Sequence, residues 1–507
     1  MVRVTQRTSA FGLFYFQKSS LRLTIRIKYH RILLSIYLLN TGYGVKAVLK
    51  RILETTFKLR ENKTSVRLEL MAGLTTFMTI AYILAVNPSV LSTTGMDAGA
   101  VFMATALAAC LGTVFMAVFA NYPFALAPGM GLNVFFAYTV VGQMGYSWQV
   151  ALAAVFIEGI IFILLSLTKV REAIFNCIPP ALKYGVTSGI GLFIAFIGLQ
   201  NAKIVIDGPF LVALYPFKAA LANGEFYSTG IGALLAVIGI LMTAVFTAKN
   251  YSGAILYGIV FTWLLGIFCE ITGIYVPDPA LGMHSVVPDF SLGMGIPSVM
   301  PTFMQFDFSA VMSFNFIAVM LSFMFVDLFD TIGTLIGVAS KAKMLDKDGK
   351  LPRVRGALLA DAMATTCGAV LGTSTVTTTV ESSAGVTAGG RTGLTALTVA
   401  VLFLLSILFA PLFLAVPLFA TAPALVIVGF SMFSSMLNID FSDLSEAIPA
   451  FIAAVAMPFT YSISEGISMG IISYVIINLA SGSYRYKKIS VLMHILAIIF
   501  VLKYIYV

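Results

Sequence analysis

The residues best placed to do chemistry are acids in an unexpected setting. Asp327 and Asp330 stand in Phe325-Val326-Asp327-Leu328-Phe329-Asp330-Thr331-Ile332-Gly333-Thr334, within an otherwise apolar stretch. At helical spacing Asp327, Asp330, Thr331 and Thr334 share one face. A charge at the centre of a bilayer costs on the order of 2.5 to 3.5 kcal/mol even on insertion scales, so two carboxylates on one face must look onto a polar interior. Asp361 and Glu381, in later apolar stretches, join the set. Carboxylates around one site can share a proton, which a proton-coupled carrier requires. The plainer role, capping a helix or binding backbone amides, stays open for Asp330 and Asp361, and Glu158 has no evident partner.

Other chemistries find no support. His30, His284 and His494 are too scattered for a metal site, and there is no HExxH or GxSxG pattern. Gly389-Gly390-Arg391-Thr392-Gly393 lacks the spacing and lysine of a phosphate-binding loop and reads as a tight turn. Cys110, Cys177, Cys269 and Cys367 lie far apart within or beside apolar stretches and read as small packing residues. The chain reads as a carrier of a small polar solute, not an enzyme, with no cofactor.

The elements that must position these acids follow from composition. Of 507 residues 59% are hydrophobic and only 10% charged, and the mean hydropathy is +0.98, which excludes a soluble globular protein. Stretches able to cross a bilayer, about 20 apolar residues each, recur from Val66 onward. Seven are expected over 66–273, then an extracellular connector over 274–309, and seven more over 310–481. The remainder, 482–507, is a basic turn and a last apolar segment. Residues 48–65 form a cytoplasmic lead-in. Residues 1–47 carry interrupted apolar runs among Arg, Lys and Ser; they fit a surface helix, a targeting extension or, as favoured here, upstream sequence ahead of a start near Val48. An odd number of crossings per half inverts the second half relative to the first.

The net charge of +9 marks orientation rather than nucleic-acid binding. With the N-terminus cytoplasmic, Lys169, Arg171, Lys183, Lys249, Lys341, Lys343, Lys347, Lys350, Arg353, Arg355, Arg391, Arg485, Lys487 and Lys488 all fall inside, while Gly273 to Phe308 holds no Lys or Arg. That placement is a multi-pass protein of the cytoplasmic membrane.

Two segments are too short and too broken to cross as helices. Pro123 and Pro128 with Gly129 and Gly131 stop a continuous helix, so Phe124 to Ala127 is expected to run extended before a half-helix holding Asn133. Thr375 to Thr379 is a β-branched run that favours a strand, and Glu381-Ser382-Ser383-Ala384-Gly385 follows it. Irregular backbone at membrane depth is tolerable only where protein or a water-filled cavity satisfies it. Paired interruptions in two halves point to a binding site between them.

These motifs, with Gly73-Leu74-Thr75-Thr76-Phe77 and Val86-Asn87-Pro88-Ser89, resemble the AzgA-like branch of the nucleobase:cation symporters from about Val66 to the C-terminus. The resemblance implies an all-α polytopic fold of about fourteen segments in two inverted seven-segment repeats, with two short mid-membrane strands leading into half-helices. A core domain (segments one to four and eight to eleven) would move against a gate domain (five to seven and twelve to fourteen). It implies uptake of adenine, guanine or hypoxanthine with protons. By motif it places substrate binding on Asn133, Asp327 and Glu381 and proton coupling on Asp327 and Glu381. Gly131, Asp330, Thr331, Thr334, Asp361 and Ser382 would support them. Phe135 or Phe325 is a candidate to stack on the ring, a homodimer is left open, and an anion exchanger on the same architecture is the competing reading, which two carboxylates at the site disfavour.

Overall fold

Polar residues start the apolar helices. Ser65 Oγ accepts from Leu68 N–H at the head of α1 (Val66–Ile80), and Asp97 Oδ1 accepts from Ala100 N–H at 2.7 Å at the head of α3 (Ala98–Phe115). Between them lies α2 (Ile83–Leu91), separated from α1 by Ala81 and Tyr82. The computed structural model describes residues 53–166, 178–208, 211–278, 285–288, 295–311, 313–341, 343–344, 351–482 and 489–506. The extension 1–47, Cys177, His30, His284 and the basic residues Lys169, Arg171, Lys347, Lys350, Arg485, Lys487 and Lys488 lie outside them.

The first half continues with β1 (Leu126–Pro128), the half-helix α4 (Met130–Val134) widening into a π-helix over Phe135–Gln143, then α5 (Trp148–Ser166), α6 (Pro180–Asn201), α7 (Thr229–Ala248) and α8 (Ala254–Ile271). The second half repeats the order: α9 (Phe314–Lys341), α10 (Val354–Leu371), β4 (Val376–Thr378) with half-helix α11 (Ser382–Thr387), α12 (Gly393–Ser406), α13 (Leu418–Phe433), α14 (Leu444–Thr460) and α15 (Ile463–Ala480). Among the described residues ten helices are long and apolar enough to cross a membrane. The two broken segments, the shorter α14 and α9 complete seven in each half.

Two features differ from the sequence expectation. The first extended stretch lies slightly toward the C-terminus, at Leu126–Pro128, with Ala125 N–H just before it donating to Ser382 Oγ. A second two-stranded sheet, β2 (Val205–Gly208) antiparallel to β3 (Leu211–Leu214), forms in the connector after α6, with the β-branched Val205, Ile206 and Val212 in its strands. The last apolar stretch is a helix, α16 (Val491–Tyr506), lying on α15, with Phe500 6.3 Å from Phe325 of α9 and the Tyr504 hydroxyl on Glu465.

Packing sorts the segments into two bundles. In one, α10 packs between α3 and α5, and α12 packs on α1 and α3. In the other, α6 packs on α13 and α14, α7 on α8 and α13, and α14 on α15. Small residues permit the tight crossings: a β-carbon at Gly191 of α6 would lie 2.5 Å from the Gly429 carbonyl of α13, and one at Gly185 2.5 Å from that of Ala450 on α14. Lipid supplies no hydrophobic drive between helices, so such close approach is what holds them.

Candidate functional site

The site is built on the crossing of the two interrupted segments. β1 and β4 pair antiparallel, Leu126 opposite Thr378, Ala127 opposite Thr377 and Pro128 opposite Val376. The pairing extends past the strands, with Gly129 N–H donating to Thr375 O and Thr379 N–H to Ala125 O, both at 3.1 Å. A two-stranded ribbon leaves half its backbone groups unpaired, and buried side chains meet them. Thr113 of α3 donates to Leu126 O and accepts from Leu126 N–H; Thr365, its counterpart on α10, donates to Val376 O at 2.9 Å. Asp361 Oδ1 accepts from Thr378 N–H at 3.2 Å. The run before β4 is tied to three helices of the first half: Thr373 accepts from Asn87 Nδ2, Ser374 donates to Asn133 Oδ1, and Thr375 donates to Glu158 Oε2. Each tie satisfies polar groups that lipid cannot.

Beside the crossing lies a cavity. Asp330 and Thr334 of α9, Tyr82, Glu381, Pro128 to Gly131 and Thr377 to Val380 line it, and Val428 and Met432 of α13 close it from the other bundle. Gly131 is also where the first bundle touches the second, since a β-carbon there would lie 2.6 Å from Ile190 of α6. Glu381 stands at the N-cap position of α11, and its Oε1 accepts from the Tyr82 hydroxyl at 2.7 Å instead of capping the helix. Among the described residues the Asp330 side chain makes no hydrogen bond, and its Oδ2 faces Gly129.

The structure divides the expected site residues. Asp330, Thr334, Gly131 and Glu381 reach the cavity. Asp327 does not: it is fully buried against protein, where Thr331 Oγ1 lies 2.9 Å from its Oδ1, 3.0 Å from both Asp361 oxygens and 2.7 Å from Thr377 Oγ1. At about 100° per residue the four positions fan across about 100° of helix in the order Asp330, Thr334, Asp327, Thr331. One edge of this fan meets the cavity and the other meets α10 and β4. Asn133 is buried on the half-helix, its Nδ2 without a hydrogen-bond partner among the described residues. Ser382 serves the strand by accepting from Ala125 N–H. The expected stacking rings are elsewhere: Phe135 packs edge-on against Phe323 at 4.7 Å, and Phe325 faces Phe500. The aromatic at the cavity is Tyr82, which the sequence reading missed along with Val428 and Met432. Its only sequence signal was a hydroxyl within an apolar span.

Two inverted seven-segment repeats with a cavity at the crossing of their broken members define a membrane transporter fold. The same fold occurs in the transmembrane domain of the cyanobacterial bicarbonate transporter BicA, with a TM-score of 0.59 at 17% identity over 80% of this chain and 97% of that one. It occurs also in SLC26A9, with a TM-score of 0.58 at 12% identity over 88% of this chain and 71% of that one. In sequence, residues 67–469 match the permease family, and the chain belongs to that family, the nucleobase:cation symporters, which are transporters rather than enzymes. A putative permease of Methanocaldococcus jannaschii is 47% identical over 90% of this chain and 99% of its own length. The guanine/hypoxanthine permease PbuO of Bacillus subtilis is 46% identical over 88% and 98%, and the adenine permease AdeP of Escherichia coli 42% identical over 90% and 96%.

Proposed function

We propose that this chain imports a purine nucleobase, guanine, hypoxanthine or adenine, by proton symport. The observation that carries the reading is the cavity itself: two carboxylates, Asp330 and Glu381, beside the head of half-helix α4, walled by the apolar Val428 and Met432 of the facing bundle. A neutral purine offers planar N–H donors to carboxylates, ring acceptors to the free N–H groups of the first turn of α4, and flat faces to aliphatic side chains. The relatives named as guanine/hypoxanthine and adenine permeases support this choice.

In the proposed cycle the bundle carrying the crossing moves against the bundle of α6 to α8 and α13 to α15, opening the cavity to each side in turn. A carboxylate left charged and unpaired in a dry cavity is costly, so loading a proton with the purine lets the bundle move. Glu381, ionised, accepts from the purine's N–H groups at the cavity, and Asp327, joined through Thr331 to Asp361, holds the exchangeable proton behind it. A carrier for sulfate or bicarbonate on the same fold is disfavoured, since the cavity lining holds two acids and no Lys or Arg.

Uptake of radiolabelled adenine, guanine, hypoxanthine and uracil into cells without nucleobase carriers tests the reading. Purine accumulation abolished by a protonophore and indifferent to sodium is expected. Accumulation that survives the protonophore and collapses without sodium overturns proton coupling, and absence of purine uptake overturns the substrate.

A further inference from the structure

The first segment runs along half-helix α11. Glu69, fully buried, accepts from the N–H groups of Arg391, Thr392 and Thr395 and from both threonine hydroxyls at 2.7 to 3.2 Å, pinning the chain just beyond α11. One turn later the Ala72 carbonyl lies 2.5 Å from where a β-carbon of Gly385 would stand. The Thr79 hydroxyl reaches Glu381 O at 3.4 Å, and Tyr82, 3% exposed, donates to Glu381 Oε1. Positions 69, 72 and 79 span about 80° of α1, and Tyr82 follows in the break before α2, so α11 and its acid are held from end to end by the first segment.

We propose that Tyr82 is a specificity-determining residue that positions Glu381 for 6-oxopurines, guanine above all; this rests on the purine reading of the cavity. The phenol has one proton, and it is committed to Glu381. Toward the cavity Tyr82 therefore presents only a lone pair, Glu381 is left with Oε2 for a ligand, and Asp330 adds further acceptors. A row of acceptors matches a purine edge with adjacent donors, as the N1–H and 2-amino group of guanine provide. It matches adenine less well, because adenine has an acceptor at N1 beside its amino group. Fixing one carboxylate oxygen also holds the other in a constant direction, so the fit to two adjacent donors does not have to be made anew at each binding.

The test is equilibrium binding of guanine, hypoxanthine and adenine to the purified full-length protein, for the wild type, Tyr82→Phe, Glu381→Gln and the double variant. The phenylalanine ring keeps the packing of Tyr82. Guanine should bind tightest to the wild type, and Tyr82→Phe should weaken it about tenfold, as loss of a hydrogen bond to a charged group does, while adenine changes less than about twofold. The double variant should bind guanine no worse than Glu381→Gln alone, because Tyr82 acts through that carboxylate. Equal losses for all three purines, additive losses in the double variant, or an unchanged Tyr82→Phe overturns the proposal. A wild-type protein that binds no purine overturns the underlying reading of the cavity instead.

Discussion

Asp327 and Asp330 stand within one turn of α9, yet each meets an acid from another segment in a different setting. Asp330 and Glu381 face a cavity; Asp327 and Asp361 face threonines and a strand. Nothing in residue type separates Asp327 from Asp330. Which edge of α9 each occupies decides whether it meets a ligand or the protein, and so whether its removal disturbs binding or architecture. The cavity pair is held lightly, by one tyrosine hydroxyl in the case of Glu381, whereas Asp361 holds strand β4 in place through Thr378 N–H and Thr331.

That contrast can be broken by substitution. The largest effect is expected at the cavity: Asp330→Asn and Glu381→Gln should each lower purine accumulation at least about a hundredfold, since binding and coupling both depend on them, with apparent melting in detergent unchanged. Melting that falls in step with transport would place Asp330 in the architecture instead. Asp361→Ala should do the opposite, lowering stability by about 2 to 3 kcal/mol because the buried Thr378 N–H loses its acceptor and Thr331 keeps only Asp327 of its two carboxylates; denaturation of purified protein measures it. Thr113→Val and Thr365→Val, the matched ties to β1 and β4, should each cost about 0.6 to 1.7 kcal/mol, the range for hydrogen bonds between membrane helices. Very unequal losses would show that the two strands are not supported alike. Smallest of all, removal of residues 1–47 should leave uptake within about twofold, because the family match begins at residue 67; a variant that inserts but cannot transport would give that extension a role.

Much of this was legible in the sequence. Composition fixed the solvent, segment length gave seven spans in each half, and Pro123, Pro128 and the threonine run marked the two places where helices fail. The side of α9 taken by each acid was not legible, because the four polar positions cover only about 100° of helix and a sequence does not say where neighbouring helices divide such a fan. Tyr82 was hidden for a related reason. A helix apolar on nearly all sides has no stripe to show which face meets the site, and its partner Glu381 lies 299 positions away. The tie between Glu158 and Thr375 spans 217 positions and was equally invisible. The bond from Ala125 to Ser382 likewise joins the two repeats, so it appears only once they are brought together.

The proposed purine site is the cavity beside Asp330 and Glu381, not the buried cluster around Asp327. Equilibrium binding of labelled guanine to purified Asp330→Asn and Asp327→Asn variants tests it most directly. The account predicts that Asp330→Asn loses at least about tenfold in affinity, as removal of a charged hydrogen-bond partner does, while Asp327→Asn binds within about twofold of the wild type yet fails to accumulate guanine against a gradient. Lost binding in Asp327→Asn with binding intact in Asp330→Asn would contradict it.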